Sequence, residues 1–381
     1  MSRILARPSR SVWILALIAL LLLLVGLRYE PGYGFTALTQ FSTDFAPCQK
    51  AVLATIPHHV RAPTGFDGQF YCQLAIDPLL REPDTPAALD NPVFRARRIL
   101  VPLLAHLLGG GRPYWIVHVY PLLNVLFWLL LLQLLLRSAP DDSGFTRWAI
   151  TAVLFSTGTL ESVRLALLDL PATYFAVLPS LLGTAATASV LSLAAGCLAR
   201  ETGVLAAAAY LVRPAPVRRP FWARAGLGAL VILPFTLWLV YLSYRLEPAF
   251  VPRSPLGAPL VHLVHAFGFN VGRIATTASP GAMAAVLIMA GLVAQGAFLW
   301  THRRLDDPLW RTGAVFSVLF LFLGAPMWEL PSAACRYMIP LTIAFNLQLA
   351  REPTLRGRWL WLSLGNAYSV FGVAKFLTYT S

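Results

Sequence analysis

Tyr114–Leu136 reads YWIVHVYPLLNVLFWLLLLQLLL, 23 residues without a charged side chain. As an α-helix this run is about 34 Å long, enough to cross the ~30 Å hydrocarbon core of a bilayer. Leu-rich runs of similar character recur on both sides of it and leave no room for a separate soluble domain. The composition agrees: 57% hydrophobic and 12% charged residues, with a mean hydropathy of +0.65, provide too little polar surface for a soluble globule of 381 residues. The expectation is an all-α polytopic membrane protein, one domain over residues 1–381, with about nine to eleven transmembrane helices. No fixed-period repeat, coiled-coil heptad, Walker loop or Rossmann fingerprint is present.

The net charge of +13 would point to nucleic acid in a soluble protein. Here much of the Arg sits between hydrophobic runs, so it reads as a topology signal, and no nucleic-acid partner is expected. Arg3, Arg7 and Arg10 precede the apolar run Val12–Leu27, which places the N-terminus inside. Arg28-Tyr29-Glu30-Pro31 lacks a small-residue cleavage pattern, so the run reads as an uncleaved anchor. The first loop, residues 28–98, is then extracytoplasmic, and Cys48 and Cys72 within it have the chance to pair. Ile99–Leu108 is too short to span and reads as an interfacial helix broken at Gly109-Gly110-Gly111.

Further crossings are expected at Trp148–Glu161, as three short passes over Pro171–Val212 with a break at Arg200-Glu201, and at Ala225–Tyr244. The basic tract Arg213–Arg224 reads as inside and a second loop, residues 246–280, as outside. Gly281–Trp300, Leu309–Trp328, Tyr337–Leu349 and Trp359–Leu377 complete the set.

The first loop also holds the most informative polar stretch, Thr64–Pro78, TGFDGQFYCQLAIDP. Gln69, Gln73 and Asp77 are spaced i, i+4, i+8 and form one stripe of a short amphipathic helix. Asp67 before it suits a general base, a carboxylate able to take a proton from an attacking hydroxyl, and equally suits a helix N-cap. Gln69, Tyr71 and Gln73 are candidates for binding the hydroxyls of a polar substrate. Arg95, Arg97 and Arg98 suit a phosphate, because guanidinium forks match its oxygens, or lipid headgroups at the interface. Charged residues within apolar runs are functional candidates by their cost. Glu161, Arg164, Asp169, Arg200, Glu201, Glu329 and Arg336 qualify, with Asp169 and Arg336 preferred and Arg200-Glu201 alongside. His262 and His265 are too few for a zinc site, and no metal is expected.

FDGQFY at Phe66–Tyr71, RARRILVPLL from Arg95, LARETGVL around Arg200-Glu201 and CRYMIPL around Arg336 together resemble the GT-C class of integral membrane glycosyltransferases. The likeness is to the bacterial multi-span type and, more distantly, to the GPI mannosyltransferases. It implies a GT-C-like fold in a bacterial cytoplasmic (inner) membrane, a polyprenyl-phosphate-linked sugar donor, an acceptor glycan, lipid or protein, and inverting transfer on the extracytoplasmic face. Asp67 takes the role of base, and Arg95, Arg97, Arg98 and Arg336 that of partners to the lipid phosphate. Many members carry two adjacent acids where this chain has Asp67 followed by Gly68, and neither metal nor cofactor is expected. The alternative is a transporter or flippase for a glycolipid or polyprenyl phosphate, which predicts related halves and charges in both leaflets; a non-enzymatic scaffold fits the external polar residues less well.

Overall fold

A computed structural model describes residues 9–61, 63–183, 185–212, 221–247 and 256–378. Arg3, Arg7 and most of the basic tract from Arg213 lie outside the described residues, as do positions 248–255 of the second loop. The described chain is helical, its one two-stranded sheet being the parallel pairing of Phe41-Ser42 with Val60-Arg61. Among the described residues three helices are long and apolar enough to cross a membrane: Pro113–Ser138, Trp222–Arg245 and Pro280–Thr301. Trp222–Arg245 leaves Leu230, Leu233, Leu237 and Val240 uncovered, an apolar face suited to lipid rather than water. Arg10–Gly26, Ala186–Ala199, Pro308–Leu321 and Ile339–Ala350 are shorter apolar helices.

The helix breaks follow local chemistry. Residues 148–161 do not form one rod: Ser156 turns extended and caps a new helix, Thr157–Arg164, by accepting from Thr159 N. The three expected segments after Pro171 are present as Asp169–Leu182, Ala186–Ala199 and Gly203–Leu211, with the break at Arg200-Glu201. A Cβ at Gly203 would meet the Gly196 carbonyl carbon at 2.5 Å, so this turn closes only around glycine. Leu309–Trp328 is likewise not continuous. Its helix ends at Leu321, and Pro326, Pro331 and Pro340 each open a short helix: Ala325–Glu329, Pro331–Tyr337 and Ile339–Ala350. Trp359–Leu377 divides into Arg358–Asn366 and Ser369–Thr378, where buried Tyr368 reaches Gln295 and Thr342 with its hydroxyl.

The first loop is a folded layer rather than a solvated excursion. Its helix Gly68–Ile76 is buried along its whole length and packs Tyr71, Cys72 and Ala75 with Phe41, Leu53 and Ile56 against Val101, Ile116 and Tyr120. Cys48 and Cys72 are both free, the first exposed and the second buried, so the expected opportunity for a disulfide is not taken.

The polar stripe is present, and it faces protein. Gln69 accepts from Ser42 N and Oγ at 3.2 and 3.3 Å. Gln73 accepts from Lys50 N at 2.9 Å and donates to Ala88 O. Asp77 accepts from Thr85 Oγ1 at 2.7 Å and Glu82 N at 2.9 Å. Buried Lys50 donates in turn to Glu82, Asp84 and Thr85. Three rungs one helical turn apart thus pin the loop to its helix, each rung meeting the hydrogen-bonding demand of a buried amide or carboxylate.

The two glycines of TGFDG serve this docking. A Cβ at Gly65 would meet Gln40 O at 2.3 Å, and one at Gly68 would meet Leu165 O at 2.5 Å and Thr39 O at 2.8 Å. Gly68→Ala is therefore expected to destabilise by about 1–3 kcal/mol through backbone displacement, read as a lowered Tm in detergent. Gly26→Ala, where a Cβ meets nothing within 4 Å, should leave Tm within the error of the melt or raise it.

Candidate functional site

The docked loop brings Asp67 to the mouth of a cavity of about 250 Å³. Asp67 occupies the N-cap position of Gly68–Ile76, but its carboxylate makes no capping bond. Oδ1 instead accepts from Arg95 Nη2 at 2.9 Å, and the side chain stays 43% exposed. The capping alternative is thereby set aside, and the carboxylate is open to a ligand.

Arg95 belongs to the five-residue helix Pro92–Ala96, which Asn91 caps by accepting from Phe94 N at 2.9 Å. Its guanidinium is held in a fork by Asp90, at 2.8 and 2.7 Å, and lies 4.9 Å from the Phe70 ring centroid. Arg98 is 4% exposed. It donates to Tyr71 Oη at 2.9 Å and, through Nε and Nη2, to both oxygens of Glu201 at 2.8 and 2.5 Å. Tyr71 Oη also accepts from Arg95 Nη1 at 3.4 Å. The Phe94 ring lies 4.2 Å from the Arg98 guanidinium and 4.4 Å from that of Arg97.

Across the cavity, Arg200 stacks on Tyr337 at 3.7 Å and pairs with Asp169. Arg336 Nη1 lies 3.7 Å from the other Asp169 oxygen. Nε of Arg200 and Nε of Arg336 are buried and make no hydrogen bond among the described residues.

Of the residues singled out in the sequence, Asp67, Tyr71, Arg95, Arg98, Asp169, Arg200 and Arg336 line this one cavity. They come from five separate stretches of the chain. Glu201 stands behind the wall, bonded to Arg97 and Arg98. Arg97 does not line the cavity; it is drawn to Glu201 at 3.2 Å. Gln69 and Gln73 do not line the cavity: both are buried, Gln69 accepting from Ser42 and Gln73 bonded to Lys50 and Ala88. Phe94 and Tyr337 line the cavity and carry no sequence signal beyond standing beside the quoted arginines. Among the described residues no three His, Cys, Asp or Glu side chains gather around one point.

The cavity therefore presents one accessible carboxylate beside an excess of guanidinium. Loss of water raises the Asp67 carboxyl, and Arg95, with smaller help from Arg336 and Arg98, more than reverses this and holds it at about 2. Asp67 is ionised at any physiological pH. Because its folded value lies below the ordinary carboxylate value near ~4, the stability it contributes is complete above about pH 4 and is lost as pH falls through about 2. Asp67→Asn is expected to flatten the acid limb of a plot of Tm against pH between those values while leaving the plateau above pH 5 parallel to that of the native chain. The chain matches no protein-family model, no curated protein and no solved structure.

Proposed function

We propose that this protein is a membrane glycosyltransferase that moves a sugar from a polyprenyl-phosphate donor to an acceptor hydroxyl, with inversion, on the extracytoplasmic face. In this reading the shorter apolar helices cross the membrane with the three long ones, giving about nine to eleven passes, and the membrane is a bacterial inner membrane. The observation that carries the proposal is the pairing, in one cavity, of a single open carboxylate, Asp67, with the guanidinium groups of Arg95, Arg98, Arg200 and Arg336. A hydroxyl nucleophile needs a proton acceptor and a departing phosphate needs cations, and the two requirements fall on the same site. The resemblance of FDGQFY and of the later arginine motifs to GT-C enzymes points the same way.

The step is an in-line displacement. The acceptor oxygen forms a bond to the anomeric carbon, the bond from that carbon to the phosphate oxygen breaks with its electron pair going to the phosphate, and the hydroxyl proton passes to Asp67. At about 2 the carboxylate is a weak base toward a resting alcohol. It becomes competent as the acceptor oxygen acquires positive charge in the transition state. The donor phosphate contributes as well: negative charge arriving beside Arg98 and Arg336 offsets their field at Asp67 and raises its proton affinity. Asp169 fixes Arg200 and Arg336, and Glu201 fixes Arg98, so the cations are oriented before the phosphate arrives.

Asp67→Asn is expected to lower transfer by about 100-fold or more, assayed with membrane-extracted lipid-linked sugars and radiolabelled acceptor. Full activity in that variant would remove Asp67 from the reaction. Arg98→Gln should raise the apparent KM for the donor about tenfold, whereas Arg97→Gln, outside the cavity, should change it less than about threefold. Mass spectrometry of lipids retained by the purified protein should find a polyprenyl phosphate carrying a sugar.

A further inference from the structure

A second cavity, of about 530 Å³, lies among the helices Val261–Thr277, Pro280–Thr301 and Ser369–Thr378. The start of the helix Pro331–Tyr337 lines it, while the end of the same helix, Arg336 and Tyr337, lines the first cavity. Its wall is largely apolar, with Ile288, Trp328 and Phe371 among its residues. Four basic side chains, His262, His265, Arg273 and Lys375, face it with one acid, Glu329. That combination suits an amphiphile with an anionic headgroup.

The two cavities are joined by charge. Lys375 Nζ donates to Glu161 Oε1 at 2.9 Å, and Arg164 reaches the same oxygen at 3.3 Å. Glu161 Oε2 makes no hydrogen bond among the described residues and lies 3.9 Å from Arg336 Nε. Arg336 continues to Asp169, and Asp169 to Arg200. Lys375, Glu161, Arg336, Asp169 and Arg200 thus alternate in sign from one cavity wall to the other.

Glu161 is 5% exposed, so water screens the middle of this series little, while Lys375, 41% exposed, stays open to a headgroup. The frame cannot absorb the charges by parting. A Cβ at Gly158 would meet Cys335 O at 2.3 Å, and one at Gly372 would meet Thr157 Cα at 2.8 Å. The helices carrying Glu161, Arg336 and Lys375 are therefore packed backbone to backbone.

We propose that Glu161 couples the two cavities, so that an anionic headgroup bound to Lys375 weakens the hold of the first cavity on an anion. The headgroup competes with Glu161 for Lys375. The negative charge of Glu161 then falls on its remaining neighbours, Arg164 and Arg336, and reduces the positive field that Arg336 offers to a phosphate. By linkage the effect is reciprocal: an anion at Arg336 draws on the same cation series and disfavours the headgroup at Lys375. In the enzymatic cycle such antagonism favours release of lipid phosphate from one cavity when an anionic lipid enters the other. Glu161 acts here as a positioning residue, through Arg336 and Lys375. The inference rests on the reading of the first cavity as a site for anions.

The test measures inorganic phosphate affinity of the full chain by calorimetry in an uncharged detergent, with and without saturating dodecyl phosphate. The native protein should lose roughly five- to tenfold in phosphate affinity when dodecyl phosphate is present. Dodecanol, which lacks the charge, should have no such effect. In Glu161→Gln and in Lys375→Gln, both checked for native Tm, the loss should shrink to less than about twofold. A purely structural role for Glu161 would alter Tm and leave the coupling factor unchanged, which overturns the proposal. A loss that persists in both variants means that the two ligands compete for one site, which also overturns it. Phosphate binding that is insensitive to dodecyl phosphate in the native chain overturns the coupling and leaves the anion site standing. Absence of any phosphate binding to the native chain overturns both.

Discussion

Arg98 holds the site together. Its guanidinium is buried, and it spends its donors on Tyr71 from the first loop and on Glu201 from the break between two bundle helices. A buried guanidinium loses several kcal/mol of hydration, which is recovered only if its donors meet acceptors in good geometry. That requirement fixes the loop helix and the break at Arg200-Glu201 at one distance from each other. Asp67 on one side and Arg200 on the other then face the same cavity as a consequence.

The loop reaches that position through a different set of forces. Its helix buries Tyr71, Cys72 and Ala75 against the bundle, and burial of this kind supplies roughly 25 cal/mol per Å² of apolar surface. The polar rungs of Gln69, Gln73 and Asp77 add little net energy but prevent the loss that unmet amides and a carboxylate would cause. They set the register of the helix. The result is a rigid platform on which one carboxylate, Asp67, remains open while its neighbours in sequence are consumed by structure.

The same accounting explains why some side chains were legible and others were not. Asp67 could be read because glycines flank it, and both glycines prove to be points where backbone meets backbone. Arg95 and Arg98 could be read because clustered guanidinium forks match a phosphate, and Arg200 and Arg336 because a charge within an apolar run is costly unless it has a purpose. Gln69 and Gln73 have the same sequence appearance whether their amides face a ligand or Ser42 and Lys50, since helical spacing sets the side of the helix but not what lies against it. Continuous runs such as Leu309–Trp328 concealed breaks, because hydropathy does not register a proline that starts a new helix within an apolar stretch. Lys375 and the second cavity were invisible for a related reason: a single Lys near the end of the chain shows nothing of Glu161, 214 positions away.

Sequence alone thus determined the all-helical character of the molecule, the positions of its long apolar helices and the break at Arg200-Glu201, because these depend on composition and on local spacing. Tertiary structure decided which of the charges meet. It gathered Asp67, Arg98, Arg200 and Arg336 around one cavity, turned Arg97 away, and joined that cavity to a second through Glu161. These outcomes depend on distances between segments far apart in the chain. Such distances are set when buried groups find partners and backbones close on glycine, and no local pattern carries them.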